Sequence, residues 1–300
     1  MFDLQVNGYA GVDFNKDHLT AGELRHACER IEADGVGGFL ATIITEDVDV
    51  MCRRLETLVN LRAADPLAAR LIAGIHIEGP FISDADGYRG SHPLDAVRPA
   101  DVELMQRLLE AAGGLTRIVT LAPERDAGLQ VTRMLASQSV VVSAGHCNPS
   151  RDGLAAAIDA GLTMFTHLGN GCPLQLDRHD NIIQRVLSFR DQLWICFIAD
   201  GVHVPLVALG NYLALVGAGR AIVVSDATAA SGLGPGEYTL GRRTVVVGKD
   251  GAARSPGFSQ LVGSASTMRR SRQHLLDELY LSDSMVTAIT CQNPRRAITL

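Results

Sequence analysis

The sequence predicts an α/β fold, a (β/α)8 barrel of the TIM type, on three observations. Short apolar runs of β-forming residues recur along the chain. Stretches with helical spacing separate them. Most of the later runs end on an ionisable side chain.

The runs are FDLQV (2–6), GFLATII (38–44), LIAGIHIE (71–78), RIVTLA (117–122), VVVSAGH (140–146), TMFTH (163–167), LWICFIAD (193–200) and AIVVSD (221–226). Between them, 21–35 places Leu24, Ala27, Cys28 and Ile31 on one helical face. Segments 50–64, 100–114, 152–161, 181–189 and 204–219 read the same way, and several end in Gly, as helix C-termini do. Strands that are apolar throughout, alternating with helices, mark a parallel sheet covered on both faces. Eight such units suggest closure into a barrel. A doubly wound sheet is the alternative, but no Gly-x-Gly-x-x-Gly follows the first run, so its dinucleotide-binding version has no support. From 236 the pattern changes. Residues 236–256 read as two β-rich runs around Gly-Lys-Asp-Gly, a short β-hairpin, and 266–280 and 282–298 as closing helices. No linker, repeat or low-complexity segment interrupts the chain, so 1–300 is expected to be one domain.

Bulk properties narrow the function. The 300 residues are 47% hydrophobic, enough for a large core, and the formal charge is −6. Without a basic run, nucleic acid and anionic membranes are poor partners. No apolar run approaches the ~18 residues of a membrane span. The N-terminus MFDLQVNGYAG lacks the pattern of a signal peptide. Six scattered cysteines with no Cys-x-x-Cys suit a reducing cytoplasm.

In such barrels the active site is built where the strands end. Here the ends carry Glu78, His146, His167, Asp200 with His203, and Asp226. Taken singly, a strand-end histidine is more often structural than a ligand. Together, Glu78, His146 and His167 form the two-histidine, one-carboxylate set of a catalytic zinc site, which leaves a position for water. A divalent ion there activates water and polarises a carbonyl. Asp226 suits a general base, although SDAT also suits a helix N-cap. His203 reads equally as a loop residue, His92 as a turn histidine, and His76 as barrel filling.

As a set, these residues resemble the amidohydrolase superfamily, and within it the N-acetylglucosamine-6-phosphate deacetylases. The resemblance rests on DLQVNGYAGVDF (3–14), GVGGFLATIIT (35–45), GIHIEGPFIS (74–83), VTLAPE (119–124), SAGHCNPS (143–150), FTHLGNGCP (165–173), ADGVHV (199–204), VSDA (224–227) and LVGSASTM (261–268), in order over nearly the whole chain. It implies removal of acetate from N-acetylglucosamine 6-phosphate or a close amino sugar phosphate. It implies Glu78, His146 and His167 as metal ligands, Asp226 as catalytic acid/base, and His92 as the loop histidine near the acetyl group. Asn170, Gly171, Arg178, His203, Leu261, Val262 and Gly263 are the implied substrate contacts, with Arg178 on the phosphate, which guanidinium suits. A homodimer is implied too, its neighbouring subunit helping to complete the pocket.

Three departures qualify this. Where many superfamily members carry His-x-His for a second metal, this chain has Gln5 and Asn7, so one ion per chain is expected, with zinc the best match and iron, cobalt or manganese tolerated. The family's small β-sandwich, formed from residues before the first strand and after the last helix, has no counterpart in this sequence. The phosphate loop reads LDRHDNIIQR (176–185), which sets Asp177 and Asp180 beside Arg178, and Gly169 replaces a larger aromatic residue. The alternatives are the same hydrolysis on another N-acyl or cyclic amide, or an inactive sugar-phosphate-binding homologue.

Overall fold

A computed structural model describes residues 1–257 and 260–299. Eight strands, β1 (Asp3–Val6), β2 (Phe39–Ile44), β3 (Ile72–Glu78), β4 (Thr116–Leu121), β5 (Val141–Ala144), β6 (Leu162–Phe165), β7 (Trp194–Ile198) and β8 (Ala221–Val224), lie side by side in sequence order. Every neighbouring pair is parallel. β1 and β8 meet through a parallel Val6–Ala227 bridge, with the Asn7 N–H donating to the Ala227 carbonyl at 2.7 Å. The Asp3 carboxylate fastens this seam by accepting from the N–H and hydroxyl of Ser225. The sheet is thus a barrel of the kind expected.

Its interior has two storeys. Toward the strand starts, Leu4, Leu40, Ile118, Met164 and Ile222 pack against Ala297 and Ile298. The final helix Asn293–Ala297 is anchored there by Asn293 Nδ2, which donates to the Ala221 carbonyl at 2.8 Å. Higher up the filling is polar. His76 lies between the Leu4 carbonyl (3.0 Å) and Thr120 Oγ1 (2.8 Å), and the chain continues to Thr166 (2.7 Å) and Ser143 (2.6 Å). Every member has a partner, so this buried network holds the upper strands in register. Burial depresses the His76 pKa to about 4, so the ring is neutral.

Outside, helices cover the sheet with their apolar faces. In the first, Ala21–Ala33, Leu24, Ala27, Cys28 and Ile31 are buried, and Thr20 with Glu23 forms a capping box at its start. Two helices are additional to the sequence reading, Pro66–Leu71 and Gln130–Ser137. The expected hairpin is also corrected. β9 (Gly236–Leu240) and β10 (Arg243–Val247) join across Gly241–Arg242, while Gly-Lys-Asp-Gly leads only to the two-residue β11 (Ala253–Arg254). The tight turn forms at Gly241 because its φ of +58° is left-handed, and its N–H docks on the Asp13 carboxylate at 2.7 Å. The hairpin then packs Leu240, Val245 and Val247 over the barrel rim. Among the described residues, no helix is long and apolar enough to cross a membrane.

Candidate active site

Glu78 is the last residue of β3, and His146, His167 and Asp226 each stand two residues beyond β5, β6 and β8. All three of the latter have left-handed backbones, with φ of 51°, 33° and 50°. For a non-glycine residue this costs roughly 1–2 kcal/mol. It turns each side chain off the strand direction and over the barrel mouth.

Three ligand atoms meet there. His146 Nε2 and His167 Nε2 are 3.1 Å apart, and Glu78 Oε1 is 3.2 Å from His167 Nε2 and 3.5 Å from His146 Nε2. Donors ~2.0–2.1 Å from a tetrahedral ion stand about 3.3 Å from one another, so the spacing fits a divalent cation. A looser set, Glu78, His92 and His146, has donor atoms within 4.8 Å of one another. The trio with His167 is the better cage because its separations match tetrahedral edges. His92 is left beside it. Burial works against a charged Glu78, but the hydrogen bonds and charges of His146 and His167 hold its carboxyl well below the usual range. Burial likewise opposes protonation of His167, yet Glu78 raises its pKa.

Surrounding groups orient these ligands. His146 Nδ1 is 3.0 Å from the Tyr88 carbonyl, which makes Nδ1 the donor and leaves Nε2 free to coordinate. Glycines make room for the same ring. A Cβ at Gly171 (φ +59°) would lie 2.9 Å from His146 Nδ1, and one at Gly90 (φ +57°) 3.0 Å from Cε1. His167 Nδ1 is buried without a partner. Gln5 Nε2 donates to Glu78 Oε1 at 3.1 Å, and Asn7 Nδ2 donates to Asp226 Oδ1 at 2.7 Å. Both amides therefore act as donors to the site's carboxylates rather than as ligands.

Asp226 is buried, and desolvation, aided by the Glu78 charge, raises its pKa to about 6. His92 meets the His146 ring edge-on at 4.4 Å. Burial, then the neighbouring His146, lowers its pKa to about 3, so it is a neutral imidazole able to donate one hydrogen bond.

These residues line a cleft of about 440 Å³, within the ~300–1,000 Å³ usual for small-molecule sites. Asn170, Gly171, His203, Leu261 and Gly263, which the resemblance implies as substrate contacts, line it. Two expectations do not hold within one chain. Arg178 is exposed and absent from the cleft wall, because Asp177 caps the Asp177–Asn181 turn and holds that stretch outward. Val262 is fully buried with Leu240 and Val245, so its side chain faces the core under the hairpin instead of the cleft. Arg89 and Gln260, which lie away from the strand ends, also line the cleft. Arg89 is the only Arg or Lys lining it among the described residues. It donates to the His92 carbonyl at 3.0 Å and to Asp86 at 2.7 Å. Its place in YRGSHP, three residues before His92, was the available signal.

No family model matches the chain. Among curated proteins it is similar to the N-acetylglucosamine-6-phosphate deacetylase of Bacillus subtilis (strain 168), 32% identical over 302 residues that cover 99% of this chain and 74% of that protein. The Homo sapiens protein of the same name is 34% identical over 287 residues, covering 91% and 67%. Among solved structures, a point mutant of N-acetyl-D-glucosamine-6-phosphate deacetylase from Mycobacterium smegmatis, in complex with N-acetyl-D-glucosamine-6-phosphate, superposes with a TM-score of 0.90 at 31% identity over 100% of this chain and 77% of that one. The Pasteurella multocida deacetylase gives 0.87 at 26% identity, over 99% and 76%.

Proposed function

Because the chain belongs to the N-acetylglucosamine-6-phosphate deacetylase family, we propose that Glu78, His146, His167, Asp226 and His92 carry out hydrolysis of N-acetylglucosamine 6-phosphate to acetate and the amino sugar phosphate. The observation that carries the assignment is the cage of three donor atoms 3.1–3.5 Å apart, with Asp226 on the same cleft wall.

Glu78, His146 and His167 would hold one divalent ion, and two imidazoles with a carboxylate favour zinc. When bound, the ion supplies Lewis acidity that makes a water more acidic and polarises the acetyl carbonyl. Asp226 accepts the proton of the attacking water, and the new C–O bond forms at the acetyl carbon. As the C–N bond breaks, Asp226 returns that proton to the leaving amine. Neutral His92 donates to the acetyl oxygen as negative charge develops there. Asn7, at 2.7 Å, keeps one Asp226 oxygen fixed and the other free for the proton.

Arg178, exposed on its own chain, is available to a neighbouring subunit. We read the protein as a homodimer in which this residue serves the partner's phosphate site. The six free thiols support a cytoplasmic location, and the continuous barrel and hairpin support one domain over 1–300.

The test is acetate release from N-acetylglucosamine 6-phosphate by purified protein, with elemental analysis. Chelation should abolish turnover and added zinc restore it, at one ion per chain. Metal-loaded protein that releases no acetate overturns the assignment. Two tightly bound ions overturn the single-metal reading.

A further inference from the structure

We propose that Asp200 is a positioning residue for substrate binding: it fixes the His203 ring so that Nε2 is presented to the cleft, and Ser264 locks the carboxylate in that pose. The inference rests on the reading of His203 as a substrate contact.

The hydrogen bonds define the arrangement. Gly201, with φ +76°, lets the chain fold back after β7. Asp200 Oδ1 then accepts from the Val202 and His203 N–H groups, both at 2.9 Å. Asp200 Oδ2 accepts from His203 Nδ1 at 2.6 Å and from the Ser264 hydroxyl at 3.2 Å. Four donors fill the roughly four acceptor sites of a carboxylate, which therefore cannot turn. Both side chains are about 5% exposed, so little water competes.

An ionised carboxylate has no proton to give, so His203 Nδ1 must carry one. Nε2 is then the nitrogen left for the cleft, with a lone pair that accepts a hydrogen bond. Burial alone would raise the Asp200 pKa, but the His203 hydrogen bond and charge, with the two backbone N–H groups, lower it. Ser264 ties this pair to the reaction centre. Its own N–H donates to the Asp226 carbonyl at 2.9 Å, and its carbonyl accepts from Thr228 and Ser231. His203 and Asp226 are thereby held at a fixed separation through one residue.

The cleft gives this pair a purpose. Its one guanidinium, Arg89, is already engaged by the His92 carbonyl and Asp86, and Arg178 lies outside. Within a single chain, His203 backed by Asp200 is a further polar group with a fixed role at the cleft, its Nε2 placed to accept from a hydroxyl of the sugar.

Asp200→Asn separates this role from simple folding. The amide oxygen can still accept the two backbone N–H groups, and the Ser264 hydroxyl can rotate to accept. The Asn NH₂ would then face His203 Nδ1 and force the opposite tautomer. In metal-loaded protein with ¹⁵N-labelled histidine, the His203 ring signals should exchange the donor from Nδ1 to Nε2. KM for N-acetylglucosamine 6-phosphate should rise about tenfold, as loss of a hydrogen bond accepted by Nε2 predicts, with a smaller change in kcat. His203→Asn should raise KM similarly, and the double variant should be no worse than either single one. Ser264→Ala, which keeps the carboxylate, should raise KM less. If His203→Asn leaves KM unchanged, the reading of His203 as a contact fails. If His203→Asn raises KM while Asp200→Asn alters neither KM nor the histidine signals, Asp200 has no positioning role.

Discussion

Asp226→Asn removes the proposed proton carrier and keeps its shape. Asn is among the residues that tolerate left-handed backbone, so the φ of +50° at this position imposes little new strain. The amide oxygen can take over the 2.7 Å hydrogen bond from Asn7. Stability should therefore not fall. The carboxyl is raised from 3.8 to about 6 by burial and by Glu78, and two pKa units correspond to about 3 kcal/mol. For a carboxyl raised in the folded state, the stability contribution is complete below the unfolded pKa and disappears as pH rises through the folded one. Metal-free Asp226→Asn should thus match wild type near pH 4 and exceed it by up to about 3 kcal/mol above pH 7. Turnover should move oppositely, because an amide cannot accept and return the water's proton. A loss of roughly 10²–10⁴ in kcat is expected for a general acid/base. The assays are acetate release at saturating substrate, metal content, and urea unfolding of the metal-free protein at both pH values. Metal content should remain at the wild-type level, since none of the three proposed ligands is altered. A kcat within tenfold of wild type would refute the role of Asp226. A metal-free variant less stable than wild type at pH 7 would refute the view that this carboxylate is held at a cost.

Gly171→Ala places a Cβ 2.9 Å from His146 Nδ1 at a left-handed φ. It should destabilise by more than ~1 kcal/mol and weaken metal retention against a competing chelator, and unchanged retention would show that Gly171 is not needed to seat His146. Thr120→Val keeps the volume but leaves His76 Nε2 and Thr166 short of a partner, so urea unfolding should reveal a loss of ~1–3 kcal/mol; no loss would mean that the polar storey is not supporting the barrel. Asp13 is raised to about 6, chiefly by burial, while accepting from Asn15 and Gly241. Relative to Asp13→Asn, wild type should lose ~3 kcal/mol of stability as pH rises from 4 to 7, and parallel urea midpoints for the two proteins across that range would contradict the shift.

The barrel was legible from sequence because parallel strands, buried on both faces, must be apolar throughout, and the eight runs sit within two residues of β1 to β8. Glu78, His146, His167 and Asp226 stood out because each interrupts or ends such a run. Gln130–Ser137 was hard to read from sequence because its apolar face, Val131, Met134 and Leu135, lasts only eight residues. The turn at Gly241–Arg242 is not legible locally because the Gly241 N–H is held by Asp13, far away in the chain.

Residue type and order along the chain already determined that carboxylates and imidazoles would reach one end of a barrel, because strand direction alone delivers them there. Only the tertiary structure decided that they form a cage. The left-handed backbone at His146, His167 and Asp226, the Tyr88 carbonyl behind His146, the amides of Gln5 and Asn7, and the outward turn carrying Arg178 all depend on ring closure and on loops packed from elsewhere. A strand's apolar pattern specifies which face is buried, but the direction of a side chain beyond its end follows from dihedral angles and from partners dozens to hundreds of residues away.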